Sequence, residues 1–189
     1  MKPLNQYIQE KLIINKDYRD ASISPKSFYE LRKIIVDRYF KLGPGTKKDP
    51  IDFNDIDVSN LDSFCGEYDK GLFENTDFKH IDISYWDVSN VKSMYCMFAE
   101  CDELESAGDL SDWDVSEVTN MSGMFYDCTY FNQDISSWDV SNVTIMNRMF
   151  RNCKSFNQDI SSWNVSKVKF KTNAFNNCQI KDKYKPKFK

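Results

Sequence analysis

From Ile56 onward the apolar positions of this chain recur at a nearly constant interval. Four tryptophans mark it, Trp86, Trp113, Trp138 and Trp163, and the text around each is almost the same. The two best copies read Phe131-Asn-Gln-Asp-Ile-Ser-Ser-Trp-Asp-Val-Ser-Asn-Val and Phe156-Asn-Gln-Asp-Ile-Ser-Ser-Trp-Asn-Val-Ser-Lys-Val. Earlier copies start at Leu110 and Ile83, and a degenerate first one has Ile56 in the tryptophan position. A period near 25 residues marks repeats that bury their apolar faces only against their neighbours.

Each unit also has an internal pattern. Ile135, Trp138, Val140, Val143 and Met146 follow leucine-rich-repeat spacing, with tryptophan and valine replacing two leucines. The alternation at Trp138 and Val140 predicts a short strand with both side chains inward. Val143, Met146, Met149, Phe150 and Cys153 follow at steps of three and four, which predicts about two helical turns, capped by Ser141 or Thr144. A return loop such as Asn-Gln-Asp closes the unit.

This text resembles the BspA-like leucine-rich-repeat family, whose units read roughly FNxDISxWDVSNVTNMSxMFxxC, over about residues 52–180. The resemblance implies a right-handed solenoid with a strand-lined face, used for adhesion or protein contact and without catalytic activity. The expected fold is therefore α/β: a right-handed leucine-rich-repeat-type solenoid, about 25 residues per coil, with an N-terminal helical cap. The chain departs from the family in being short, with four good copies and one weak one. Family members are often secreted surface proteins, whereas Met-Lys-Pro-Leu-Asn-Gln-Tyr opens without the apolar stretch of an export signal. The expected location is thus the cytoplasm of a bacterial host, or a virion assembled there.

Four segments are expected: a leader at 1–20, a helical cap at 21–48, the repeats at 49–180 and a basic tail at 181–189. In the leader, Leu4, Tyr7, Ile8 and Leu12 are spaced as one face of an amphipathic helix, which needs a partner surface at that length. Leu-Asn-Gln-Tyr-Ile-Gln-Glu-Lys-Leu-Ile-Ile-Asn-Lys-Asp-Tyr resembles leaders of proteins from large tailed phages of gut Bacteroidales, which implies docking to a virion or assembly. Packing of the leader on the chain's own body is the competing reading. Ser24-Pro25 predicts a cap and a first-turn proline, and Phe28, Leu31, Ile34, Ile35, Arg38 and Tyr39 predict a second helix, ended by Gly43-Pro44-Gly45.

Hydrophobic residues make up 41% of the chain and aromatic residues 15%, so it can bury a core. No apolar run approaches a membrane span. Charge is divided: residues 1–48 hold 11 basic and 5 acidic side chains, residues 49–180 hold 9 and 23, and the last nine hold five lysines and one aspartate. An acidic body with basic ends argues against nucleic acid as the partner and for a protein, with a basic one suited to the acidic body.

Four of the six cysteines, Cys101, Cys128, Cys153 and Cys178, keep the repeat period, which predicts a column of buried thiols rather than a disulfide or zinc framework. With His80 the single histidine, no catalytic triad has a base. Asp52, Asn54, Asp55 and Asp57 lack the glycine and final glutamate of a calcium loop. No cofactor or metal is expected, and no enzymatic activity.

One constellation remains. Asp57, Asp87, Asp114, Asp139 and Asn164 each follow the tryptophan position and should point away from the core. Stacked carboxylates repel one another. They are either turn formers accepting from the backbone just beyond them, or a strip for a basic partner, flanked by Tyr85. The expected function is a non-catalytic protein-interaction module using this strip; the alternative is a phage virion structural or cargo protein held by its leader.

Overall fold

Two very short strands, β1 (Ile51–Asp52) and β2 (Ile81–Asp82), pair in parallel, Ile51 with Ile81 and Asp52 with Asp82. The structure, a computed structural model, describes residues 23–66 and 70–188. Isolated parallel bridges continue the pairing elsewhere, joining Ser63 to Ser93, Ser93 to Asn120, Asn120 to Ile145 and Ile145 to Phe170. Equivalent residues of successive repeats therefore lie side by side. The leader residues Leu4, Tyr7, Ile8 and Leu12 fall outside the described residues.

The expected α/β leucine-rich-repeat solenoid is corrected here. Among the described residues there is one α-helix, α1 (Phe28–Leu42), outside the repeats, and one open sheet of two two-residue strands. Most of the rest is turns, bends and loops. The stretch expected to be helical shows why. The amides of Met97, Ala99 and Cys101 donate three residues back, to Met94, Cys96 and Phe98, at 3.2, 3.0 and 3.2 Å. Those between them, Cys96, Phe98 and Glu100, donate sideways to Ser122, Met124 and Tyr126 of the next repeat, at 3.0, 2.9 and 2.7 Å. A helix needs each amide to bond four residues back; here every second one leaves. Left-handed residues redirect them: Cys96 (φ 50°) and Glu100 (φ 59°), then Gly123 (65°) and Asp127 (59°), then Arg148 (57°) and Asn152 (66°). Apolar steps of three and four fit such a run of tight turns as well as a helix.

The expected strand fails for a related reason. Trp138 and Val140 are buried and Asp139 is exposed, so the alternation survives. The Trp138 amide, however, donates to Ile135 at 3.2 Å and that of Val143 to Val140 at 3.0 Å, closing turns on both sides instead of a ladder. Aspartates and serines at the corners compete for the same backbone groups.

Columns of like residues fill the interior. Phe73, Phe98, Phe125, Phe150 and Phe175 stack with ring centroids 5.2–5.5 Å apart and planes within 15°. Trp113, Trp138 and Trp163 stack at 6.2 and 6.4 Å. Each such pair adds about 0.5–1.5 kcal/mol beyond the area it buries. The indole N–H groups are also satisfied: Trp86 donates to Phe53 O at 2.9 Å and Trp138 to Leu110 O at 2.8 Å. Cys101, Cys128 and Cys153 are buried thiols donating to Phe73, Phe98 and Phe125 carbonyls, each at 2.9 Å.

Helix α1 starts three residues later than Ser24-Pro25 suggested. Ser27 is the cap, accepting from the Glu30 amide at 3.3 Å, while the Glu30 carboxylate takes the Lys26 amide at 2.7 Å. Ser27-Phe-Tyr-Glu30 thus works much as a capping box. Upstream, Ile23 is held extended by a parallel bridge to Ile56, which keeps Ser24 out of the helix. Gly43 (φ 77°) ends it, its amide bonded to Tyr39 O at 2.8 Å. The helix lies on the first repeat: Phe28, Leu31 and Ile35 are buried, and Gly66 has no room for a side chain because the Phe28 ring would meet its Cβ at 2.4 Å.

Candidate functional site

The Asp-x-Ser corners build the exposed face beside the tryptophans. Asp57, Asp87, Asp114 and Asp139 each use Oδ1 to accept the amide two residues on, from Ser59, Ser89, Ser116 and Ser141, at 3.0, 3.1, 3.0 and 2.9 Å. Ser59 and Ser89 add their hydroxyls at 2.6 Å. Asn164 occupies the same place with the same bond to Ser166, at 3.2 Å. These are Asx-turns. Asp87, Asp114 and Asp139 are exposed, and the amide takes Oδ1 in each.

A second column, missed in reading the sequence, runs five positions earlier. Asp82, Asp109, Asp134 and Asp159 bond the amides of Ser84, Ser111, Ser136 and Ser161 at 3.1, 3.0, 3.0 and 3.1 Å. Asp52 begins the column, accepting from Asn54 at 2.8 Å. Its signal was in plain view as the aspartate of Asn-Gln-Asp, assigned above to a return loop. Tyr85 is 65% exposed between the two columns, its amide bonded to Asn54 Oδ1 at 2.8 Å.

Hydrogen bonds from the serines hold several of these acids below the usual carboxylate value. For Asp57, Asp114, Asp139 and Asp159 the serine hydroxyl is the larger cause, and for Asp109 and Asp134 the serine amide. They stay charged at neutral pH despite their neighbours.

The residues weighed as a calcium loop have other employment. Asp55 pairs with Arg38, whose guanidinium also donates to Asp52 O at 2.8 Å. His80 is buried, its Nε2 3.7 Å from a Glu105 carboxylate oxygen. On a different side, the left-handed turns border an open groove of about 500 Å³ lined by Glu74, Tyr95, Cys96, Glu100, Tyr126 and Arg148 among others. Among the described residues no helix is long and apolar enough to cross a membrane.

A family profile described as "Mycoplasma protein of unknown function, DUF285" matches residues 68–187, which span all four tryptophan repeats and both ends of the phenylalanine stack. The chain belongs to the DUF285 family. Neither the curated proteins nor the solved structures contain a match to it. Within the DUF285 match lie Asp82 to Asp159 and Asp87 to Asn164, so most of both Asx-turn columns belong to the family region; Asp52, Asp57 and α1 precede it.

Proposed function

We propose that this DUF285 protein is a non-catalytic interaction module that binds a basic protein partner across its double aspartate face. One observation carries the reading: two parallel columns of carboxylates, fixed in place by turn hydrogen bonds, with Asp87, Asp114 and Asp139 exposed. A preset row of like charges loses little side-chain freedom on binding and attracts an oppositely charged partner at long range. The resemblance to the BspA-like family supports protein contact as the activity. The test replaces Asp87, Asp114 and Asp139 with asparagine, which Asn164 shows to be compatible with the turn. Binding of a lysine-rich probe peptide, measured by titration calorimetry, should weaken about tenfold, and raised salt should weaken the parent in the same way. Unchanged affinity in the triple variant sinks the reading.

A second reading rests on the opening residues, whose resemblance to phage leaders favours a virion-associated structural or cargo protein. Deletion of residues 1–19 separates the two: it spares lysine-peptide binding and abolishes packaging if the leader is a docking tag.

A further inference from the structure

Sideways amides run through the stack as a continuing series. Gly123, Phe125 and Asp127 donate to Asn147, Met149 and Arg151 at 2.8, 2.9 and 2.9 Å. Arg148, Phe150 and Asn152 donate to Thr172, Ala174 and Asn176 at 3.0, 2.8 and 3.0 Å. The next set is Asn173, Phe175 and Asn177. Asn173 (φ 59°) and Asn177 (φ 57°) have the same left-handed backbone as their counterparts, so these amides are aimed the same way. They find no acceptor among the described residues. Beyond Cys178 the chain leaves the series and folds over the core instead: Tyr184 O accepts from the Ile160 amide at 3.1 Å, and Phe188 packs on Phe175 with centroids 6.3 Å apart. Phe170, the last rung after Ile145, is 57% exposed.

The other end is closed. There the carbonyls face outward, and the Arg32 guanidinium of α1 takes three of them, Gly71, Leu72 and Glu74, at 2.5, 2.7 and 3.3 Å. A second copy of this chain therefore cannot present those carbonyls to the open amides without displacing α1. Charge narrows the occupant further. From residue 164 to the end there are eight lysines and one acid, Asp182; exposed Lys169 stands beside Phe170 on the last rung, while Lys167 donates back to Asn142 Oδ1 at 2.6 Å.

We propose that the edge at residues 168–177 binds an acidic peptide segment in extended form, aligned parallel to the last repeat. Its carbonyls accept from Asn173, Phe175 and Asn177, and its acidic side chains lie among the lysines. An unpaired strand-like edge is a ready template for such pairing, and main-chain bonds then give affinity while flanking side chains select the sequence. This site is separate from the aspartate face and selects the opposite charge, so either can fail alone.

The test is amide hydrogen exchange on the isotopically labelled full chain, with a blocked peptide of alternating glutamate and valine as probe. Exchange at Asn173, Phe175 and Asn177 should slow about tenfold or more at saturating peptide, with Arg148, Phe150 and Asn152 unchanged as internal controls. The substitution Lys169→Glu should weaken binding about fivefold while leaving those controls protected. The proposal is overturned if the three amides do not slow at millimolar peptide, or if a lysine–valine peptide slows them equally. It is also overturned if they are already protected without peptide, which means that the chain or a second copy fills the edge. Tighter binding of an oligothymidylate to the same lysines, without amide protection, assigns the surface to nucleic acid instead.

Discussion

The two ends of the repeat stack are finished by different means. At the first repeat a capped helix lays Phe28, Leu31 and Ile35 on the core, and one arginine closes the carbonyl edge. At the last repeat a lysine-rich tail sets Ile180 and Pro186 against the core, but among the described residues the amides of Asn173, Phe175 and Asn177 have no acceptor. The difference separates two tasks that an end must perform: keeping apolar area from water, and giving backbone groups partners. The helix end does both, and the tail end chiefly the first. Aggregation is restrained at the tail by charge, since lysines on an edge discourage pairing with another edge.

The largest expected effect comes from removing the better-finished end. A chain beginning at Asp49 loses α1 and exposes the apolar side of the first repeat, so it should aggregate or lose cooperative unfolding in a thermal melt. A soluble fragment of parental stability would show that the helix contributes nothing to the body. A smaller effect comes from separating edge from core. Arg32→Met keeps most of the helix packing but deprives three carbonyls of a charged donor, at about 2–3 kcal/mol in urea unfolding. Phe188→Ala at the other end removes one half-buried ring and should cost about 1 kcal/mol. Equal losses would erase the contrast between the ends.

That contrast was only partly legible in the sequence. Trp86 to Trp163 and the cysteine column announced the repeat and the inward residues, because burial leaves a period in apolar text whatever the backbone does. The backbone itself was misread. Met146, Met149, Phe150 and Cys153 keep helical spacing, yet the left-handed residues at Arg148 and Asn152 turn alternate amides toward the neighbouring repeat. Neither residue type demands that conformation, so only the neighbour reveals it. Arg32 read as one more polar position on a helix; its role depends on carbonyls some forty residues away. The Asp57 column was found, and the Asp82 column was passed over because its aspartate had been placed in a loop. The tail read as a basic appendage because lysines mask Ile180, Tyr184, Pro186 and Phe188, which pack on the core.

The smallest effect, and the finest gauge of the two ends, is the chemistry of the thiol column. Cys101 and Cys128 sit inside the stack, where burial pushes the Cys101 thiol up to about 11 and that of Cys128 well above its ordinary value. Cys153 is buried as well, and burial raises it likewise. Cys178, at the lysine end, is half-buried and leaves the pattern of the other three, its thiol meeting Phe156 O at 3.8 Å. Burial raises it too, with Lys185 acting in the opposite direction. Because the thiolate is the reactive form, native alkylation followed by mass spectrometry should modify Cys178 first and the other three only on unfolding. The sign of the pH dependence follows from the same shifts. Unfolded thiols ionise near the ordinary value of 9.0 while the buried ones stay protonated, so the unfolded state loses protons first and stability falls as pH rises from about 8.5 toward 11. Below that window the thiols contribute no slope. Replacing Cys128 with alanine should flatten the alkaline slope by about a third of the contribution of the three buried thiols, whereas replacing Cys178 should change it least. Should Cys128 react as fast as Cys178 in the native chain, the stack opens along its length, and the lysine end is no looser than the rest.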